Sequence, residues 1–248
     1  MKVVGVIPAR WGSTRLPGKA LVPICGKPLI QWVLEAARKA KKLDMLLVAT
    51  DDRRIANVVA KLGGRAVMTR NDHASGTDRI AEAVGGIKAD IIINIQGDEP
   101  LIDPKLIDSL VGVMVKGKEW DMATAAAPIF DEKELENPSV VKVVCDRTGR
   151  ALYFSRSVIP FVRDGNQGSG IPLHWRHIGI YAYTRRFLGR LVKTPQCALE
   201  KAEKLEQLRA LDIGARMAVI RAKEAGIGVD TPDDVKYVEK ILRSRKHG

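Results

Sequence analysis

Short apolar runs alternate with amphipathic segments through the first half of the chain, and this alternation is the strongest constraint on its fold. The apolar runs, which predict strands, lie at residues 3–7, 45–49, 66–68 and 91–95. The segments with apolar residues at three- and four-residue spacing, which predict helices, lie at residues 29–42, 53–62, 78–88 and 104–115. Strands and helices that alternate in this way form parallel sheets with helical crossovers. We therefore expect an α/β fold with a single doubly wound, mostly parallel sheet that has helices on both faces.

The pattern changes after about residue 120, where strand-like runs follow one another with few helices between them. These runs lie at residues 122–127, 140–145, 151–154 and 178–183. They predict a smaller, partly antiparallel sub-element around residues 120–190. Farther along, the sequence predicts a mobile loop at 163–172, a long helix at 199–211, a strand at 217–222 and a closing helix from Pro232. The length of 248 residues predicts one domain, residues 1–248, that includes the sub-element.

The first apolar run opens directly into a loop rich in proline, glycine and positive charge. Arg10, Arg15 and Lys19 fall within this loop, and its prolines and glycines prevent an α-helix until after Pro28. Such a loop is also typical of solvated surface, but its position after a buried strand favours anion binding. The glycine spacings of a P-loop and of a dinucleotide-binding turn are missing, so cationic side chains must supply the phosphate contacts. We expect the loop to hold a triphosphate.

The net charge, the apolar runs and the cysteines restrict the kinds of protein that this chain can be. The chain has 41 Lys and Arg residues against 29 Asp and Glu residues, a net charge of +12, which suits nucleic acid, an anionic surface or a polyanionic substrate. Much of the excess lies at scattered positions without interleaved aromatic residues, which argues against a nucleic-acid-binding surface. No apolar run resembles a membrane span or a signal peptide, so the cytoplasm is the expected location. Cys25, Cys145 and Cys197 form no metal or redox motif and are expected to be reduced.

Two acidic turns that follow predicted strands are candidates for a metal site. The strand at residues 91–95 leads into Gln-Gly-Asp-Glu-Pro, which places Asp98 at the carboxyl edge of the sheet, where open α/β sheets bind ligands. A carboxylate opposite a phosphate-binding loop suits a Mg²⁺ ion that bridges to substrate phosphates. The second turn, GVDTPDD at residues 228–234, has the pattern of a helix N-terminus capped by Thr231. This capping pattern gives no structural role to Asp230.

The other polar candidate residues indicate a ligand-binding site only when they are taken together. Arg79, in the segment HASGTDR, and Arg156, in the segment YFSRS, are candidate anion clamps. Four further residues would offer hydrogen-bonding groups to a hydroxylated ligand: His177, Glu206, Gln207 and Arg209. Taken singly, each of these residues is also typical of a protein surface or a helix cap.

Eight segments, in chain order, resemble one enzyme family. They are IPARWGSTRLPGK (7–19), VATDD (48–52), HASGTDR (73–79), NIQGDEP (94–100), YFSRS (153–157), HIGIYAY (177–183), EKLEQLR (203–209) and GVDTPDD (228–234). Together they cover essentially the whole chain and are similar to the 3-deoxy-manno-octulosonate cytidylyltransferases, the CMP-Kdo synthetases of lipopolysaccharide biosynthesis. Related CMP-sialate synthetases typically have Gly-Gly-Ser-Lys-Gly-Ile-Pro where this chain has residues 11–17.

The resemblance implies a Mg²⁺-dependent transfer of CMP from CTP to the anomeric hydroxyl of 3-deoxy-D-manno-octulosonate (Kdo), with release of pyrophosphate. It also implies a nucleotide-diphospho-sugar transferase type of fold and a homodimer. The catalytic residues would be Lys19, Asp98 and Asp230, and the two aspartates would hold the metal. The expected CTP contacts are Arg10, Ser13, Arg15, Lys19, Arg79 and Gln96. The expected Kdo contacts are Arg156, His177, Tyr181, Glu206 and Gln207.

Two alternatives stay open at the level of sequence. A cytidylyltransferase for an amino-substituted Kdo or a sialic acid would have the same fold and metal, and the short loop at residues 164–173 leaves the closure of the sugar pocket open. A nucleic-acid-binding protein would use the positive charge, but the chain has no recognisable binding motif. The expected partners are therefore CTP and Kdo, with no specific nucleic acid and no membrane insertion.

Overall fold

The chain divides into two compact units in the computed structural model, which describes residues 1–13, 16–117, 119–163 and 172–244. The first unit contains residues 1–111 and 226–248, and the second contains residues 112–225. Arg15 and most of the loop expected at residues 163–172 lie outside the described residues.

Most strands of the first unit are parallel, and a short antiparallel pair at residues 23–28 is separate from the main sheet. Its strands are β1 (Val3–Ala9), β2 (Pro23–Ile24), β3 (Lys27–Pro28), β4 (Met45–Thr50), β5 (Arg65–Met68) and β6 (Ile91–Asn94). Strand β1 pairs in parallel with β4 on one side and β6 on the other, and β4 pairs in parallel with β5. The valines and isoleucines of β1 and β6 are buried, as expected for strands covered on both faces. Parallel pairing brings the carboxyl ends of β1, β4 and β6 to the same edge of the sheet.

The second unit is partly antiparallel, as the change of pattern after residue 120 predicts. Its strands are β7 (Met122–Pro128), β8 (Lys142–Cys145), β9 (Ala151–Ser155), β10 (Trp175–Thr184) and β11 (Met217–Arg221). Strand β7 pairs antiparallel with β10 and parallel with β11, while β8 and β9 form an antiparallel pair. The unit has its own apolar core, to which the fully buried Phe154 and Ile180 belong.

The helices of the described residues are five to 13 residues long. They are α1 (Leu29–Ala37), α2 (Arg53–Lys61), α3 (Gly76–Ala83), α4 (Pro104–Lys116), α5 (Glu132–Glu136), α6 (Arg185–Leu191), α7 (Ala198–Glu203), α8 (Gln207–Asp212) and α9 (Pro232–Ser244). Thr231 caps α9 as predicted, because its hydroxyl accepts from the Asp234 N–H while the Asp234 carboxylate accepts from the Thr231 N–H. No helix in the described part of the chain is long and apolar enough to cross a membrane.

The three cysteines are unpaired, as predicted. Cys25, Cys145 and Cys197 form no disulfide bond. Burial raises the pKa of the Cys145 thiol to about 11, so it stays protonated at neutral pH. Cys197 instead has a structural role, because its sulfur accepts from the Glu200 N–H at the start of α7.

The prediction of one long helix at residues 199–211 is wrong. The helical pattern is divided into α7 and α8 at Lys204, whose φ of 55° and ψ of 45° are left-handed. This single residue turns the chain so that Leu205 is buried. A periodic apolar pattern does not show such a break, since it needs only one residue in an unfavourable conformation.

We expect Lys204→Gly to leave the free energy of unfolding unchanged or to raise it by up to about 1 kcal/mol, because glycine adopts the left-handed conformation without a steric penalty. Lys204→Val should lower it by at least about 1 kcal/mol. The matched control is Lys201→Gly, an exposed position inside α7, which should lower it by about 1 kcal/mol. Urea unfolding measures all three variants. An equal loss in both Lys→Gly variants would contradict the left-handed turn.

Candidate functional site

Three residues that the sequence assigns to catalysis meet at the carboxyl edge of the first unit's sheet. The Lys19 ammonium donates to Asp98 Oδ2 at 2.6 Å and to Asp230 Oδ1 at 2.8 Å. A backbone hydrogen bond of 2.9 Å from the Val229 N–H to the Asp98 carbonyl joins the two acidic turns directly. The loop after β1, the turn after β6 and the turn before α9 therefore converge on one point.

This cluster is open to ligands. The side chain of Lys19 is 17% exposed, and those of Asp98 and Asp230 are 31% and 42% exposed. One ammonium faces two carboxylates, so the three groups together carry an excess of negative charge. Such a cluster is suited to a further cation that has oxygen ligands.

The helix cap holds Asp230 in place. Asp234 Oδ2 accepts from the backbone N–H groups of Asp230 and Thr231, at 2.9 and 2.8 Å, and from the Thr231 hydroxyl. Burial alone would raise the pKa of Asp234, but these hydrogen bonds outweigh burial and keep the pKa below its usual value. Asp234 therefore stays ionised and fixes the backbone from which Asp230 projects.

A glycine allows the turn after β6 to approach the end of β1. A Cβ atom at Gly97 would lie 2.6 Å from the carbonyl oxygen of Pro8, which is closer than nonbonded atoms can pack. Gly97 therefore has no side chain for a steric reason, and its neighbours Gln96 and Asp98 are held beside the loop that follows β1. Gln96 is half-buried at this position.

The loop after β1 closes around an aromatic ring. The Trp11 ring packs against the Arg54 guanidinium, with 3.3 Å between the guanidinium carbon and the ring centroid. Farther along the same loop, Gly18 lies close to the Trp11 ring, since a Cβ atom at Gly18 would be 2.9 Å from it. Gly18 also has a left-handed φ of 64°. Arg10 is exposed and Ser13 half-buried on this loop, so both are accessible to a ligand.

Arg79 is buried and engaged within the protein. Arg79 is 3% exposed, and its guanidinium donates to Asp51 Oδ2 at 2.9 Å and to Thr69 Oγ1 at 2.6 Å. The other oxygen of Asp51 accepts from the Trp11 N–H at 3.1 Å. Arg79 thus reaches the loop through Asp51, and its contact with CTP stays a prediction. Sequence reasoning missed Asp51, although its place after β4, at the same sheet edge as Asp98, was a usable signal.

Three of the expected Kdo contacts form a connected cluster in the second unit. The His177 and Tyr181 rings have centroids 5.5 Å apart, and the Tyr181 hydroxyl donates to Gln207 Oε1 at 3.2 Å. Burial lowers the pKa of His177 to about 3, so its ring is neutral. Burial also raises the pKa of Tyr181, which therefore keeps its proton.

The hydrogen bonds of Thr124 assign the tautomer of His177. Thr124 Oγ1 lies 2.9 Å from His177 Nε2, 2.8 Å from the Ile180 carbonyl oxygen and 3.1 Å from the Ile178 carbonyl oxygen. Because the hydroxyl has one hydrogen and carbonyls only accept, Nε2 must donate to Thr124. Nδ1 is then the hydrogen-bond acceptor of His177.

The remaining expected Kdo contacts are held by charged neighbours. The backbone N–H of Arg156 donates to Glu203 Oε2 at 2.9 Å, and its Nε donates to the Glu203 carbonyl at 2.7 Å. Glu206 accepts from Arg209 at 3.1 Å. Arg209 is itself buried against Glu200, which makes it part of the fold rather than a ligand contact.

The metal ligands predicted from the sequence are limited to two carboxylates. Among the described residues, no group of three or more His, Cys, Asp or Glu side chains could hold a metal ion. Magnesium is commonly bound by one or two carboxylates together with substrate phosphates and water. Asp98 and Asp230, whose oxygens already share one cation, fit that mode of binding.

Comparisons with known proteins agree with one another. Residues 4–220 match the family model described as cytidylyltransferase. The chain is 50% identical over 246 residues to the 3-deoxy-manno-octulosonate cytidylyltransferase of Bdellovibrio bacteriovorus, with 99% of both chains covered. It is also 50% identical over 245 residues to the protein of that name from Syntrophobacter fumaroxidans, with 98% of this chain and 97% of the relative covered.

A solved structure gives the same result for the fold. It is a CMP:2-keto-3-deoxy-manno-octonic acid synthetase complexed with CTP, with a TM-score of 0.94 and 43% identity. The match covers 99% of this chain and 100% of that structure. The predicted fold, a mostly parallel sheet with helices of the nucleotide-diphospho-sugar transferase type, is confirmed.

Asp51→Asn should lower the free energy of unfolding by about 3 kcal/mol, because it leaves the buried guanidinium of Arg79 without its carboxylate. The amide oxygen of asparagine still accepts from the Trp11 N–H, so the change tests the charge. Asp72→Asn is the matched control, because Asp72 pairs with Arg70 at 3.4 Å while both side chains are more than half exposed, and it should cost less than about 1 kcal/mol. Equal losses in urea unfolding would contradict the buried pair.

Proposed function

The chain belongs to the 3-deoxy-manno-octulosonate cytidylyltransferase family, and we propose that it transfers CMP from CTP to the anomeric hydroxyl of Kdo, for lipopolysaccharide biosynthesis. The observation that carries this proposal is the convergence of Lys19, Asp98 and Asp230 at one sheet edge. These residues lie in three of the segments that resemble the family. In the reaction the sugar hydroxyl loses its proton to solvent and attacks the α-phosphorus of CTP, and the bond between that phosphorus and the leaving pyrophosphate breaks.

The main barrier to this reaction is electrostatic, because both substrates are anions. Lys19, together with Arg10 and Arg15 of the same loop, supplies positive charge to the triphosphate. The Lys19 ammonium is partly exposed, so it can turn from the two carboxylates toward phosphate oxygens without losing a charged partner. This exchange leaves Asp98 and Asp230 with carboxylate oxygens available to a divalent cation.

The proposal includes Mg²⁺, which Asp98 and Asp230 would hold. A bound Mg²⁺ would supply charge neutralisation at the phosphate oxygens and would favour loss of the proton from the attacking hydroxyl. The two aspartates act as electrostatic organisers and do not transfer protons themselves. The Asp234 cap keeps Asp230 in place while Lys19 changes partners.

The residues of the second unit are proposed to bind Kdo by hydrogen bonds and charge. Arg156 offers a guanidinium to the sugar carboxylate, and Glu206 and Gln207 offer groups to hydroxyls. His177 offers a neutral ring with Nδ1 as acceptor, and Tyr181 keeps its proton. Neither His177 nor Tyr181 has a pKa near neutrality, so neither is proposed as a general base.

The proposal also covers location and assembly. A cytoplasmic location is proposed because CTP, the nucleotide substrate, is a cytoplasmic metabolite. A homodimer is proposed because the resemblance to the family implies one.

Incubation of the protein with CTP, Mg²⁺ and one sugar acid at a time tests the substrate. We expect CMP-Kdo and pyrophosphate from Kdo, and much less product from an amino-substituted Kdo or from a sialic acid. Mass spectrometry identifies the nucleotide sugar, and a coupled assay measures pyrophosphate. Absence of Kdo-dependent turnover, or faster turnover with another acid, would overturn the choice of Kdo.

Asp98→Asn and Asp230→Asn should each lower the rate of pyrophosphate release by at least about 100-fold, because each removes one charged oxygen ligand of the proposed metal. Both variants should also need more Mg²⁺ for half-maximal rate. Asp233→Asn, at an 89% exposed side chain in the same turn, is the control and should keep near-normal turnover. If both variants keep near-normal rates at the wild-type Mg²⁺ concentration, the metal assignment is wrong.

A further inference from the structure

A fully buried lysine lies in the second unit, at a position that none of the family-like segments includes. Lys142, in β8, has 0% exposure and is among the largest fully buried side chains of the described residues. Burial lowers the pKa of Lys142, and the nearby charge of Glu203 opposes that effect. Lysine is almost never fully buried unless it is paired, so its presence here needs a reason.

Backbone carbonyls satisfy the Lys142 ammonium. Its Nζ donates to the carbonyl oxygens of Arg156 at 2.5 Å, Val140 at 2.7 Å and Asn137 at 3.2 Å. An ammonium has three N–H groups, so each one has an acceptor. Lys142 forms no ion pair with any residue that the structure describes. An apolar side chain at this position would leave three carbonyls without this donor.

Both backbone groups of Arg156 are held by charged side chains. Lys142 donates to its carbonyl oxygen, and Glu203 accepts from its N–H at 2.9 Å. Ser155, the preceding residue, also donates to Glu203, at 2.6 Å. The segment that carries Arg156 is therefore fixed from two sides.

The Arg156 side chain is directed by the same partners. Its Nε donates to the Glu203 carbonyl at 2.7 Å, and its Nη1 donates to the Pro138 carbonyl at 2.9 Å. Pro138 lies between the two residues of its loop that Lys142 contacts, Asn137 and Val140. Two cations therefore hold one short loop, and no described residue accepts a hydrogen bond from Nη2 of Arg156.

We propose that Lys142 and Glu203 are positioning residues that hold the Arg156 guanidinium in the orientation in which it receives the carboxylate of the sugar acid. This inference rests on the proposed function, in which Arg156 binds Kdo. A guanidinium binds a carboxylate best through two parallel N–H groups, so its direction determines the strength of the contact. Lys142 and Glu203 fix that direction without touching the substrate.

A double-mutant cycle tests the proposal. Lys142→Met and Glu203→Gln should each raise KM for Kdo by about tenfold, while KM for CTP stays within about twofold of wild type. Lys133→Met, an exposed lysine in α5, is the control and should change neither KM. The same changes made in an Arg156→Ala background should raise KM for Kdo no further, because positioning residues act only through Arg156.

Each outcome decides between positioning and a merely structural role. Equal rises in KM for Kdo and CTP, or effects that multiply with that of Arg156→Ala, would overturn the proposal. Should Lys142→Met fail to fold, Glu203→Gln, which keeps the size of the side chain and an acceptor oxygen, decides the question. If wild type turns over another sugar acid and not Kdo, the proposed substrate is wrong, and the cycle is measured with the acid that is turned over.

Discussion

The contact between one ammonium and two carboxylates, Lys19 with Asp98 and Asp230, depends on most of the first unit. Three segments that are distant in sequence must end at the same point, which a parallel sheet achieves because the carboxyl ends of its strands share one edge. Without Lys19 or another cation, the two carboxylates would repel each other. The steric fit of Gly97 against Pro8 and the Thr231–Asp234 cap hold these segments within reach of one charge.

Cations in this protein fall into two physical groups. Lys19 and Arg10 are partly or largely exposed, so a ligand can replace their present surroundings at little cost. Arg79 and Lys142 are buried and hydrogen-bonded to groups of the protein. Removing a partner from a buried cation is costly, so an exchange of partners is less favourable for these residues than for the exposed ones. The first group suits binding and the second suits positioning.

The sequence predicted the parts of the structure that depend on periodicity, chain direction and helix caps. The apolar runs predicted the longer strands of both units but not the short strands β2 and β3. The rule that ligands bind at the carboxyl edge of the sheet predicted that Asp98 lies opposite the loop that carries Lys19. The break at Lys204 was not predictable, because it depends on the conformation of one residue. The burial of Arg79 was missed because a motif gives the residue type and not its exposure. Lys142 gave a signal, a lone cation in the apolar segment VVKVVC, that could have been recognised.

Under the proposed function, each unit has a separate role in specificity. The expected nucleotide contacts and both proposed metal ligands belong to the first unit, while the expected contacts to the sugar acid belong to the second. Under that assignment, a change of sugar acid would require changes around Arg156, His177 and Tyr181, and the loop after β1 could stay as it is. Because neutral His177 and protonated Tyr181 add no charge, the proposed attraction for the carboxylate depends on Arg156. If Lys142 and Glu203 hold that guanidinium as proposed, its orientation would help to determine which acid is accepted.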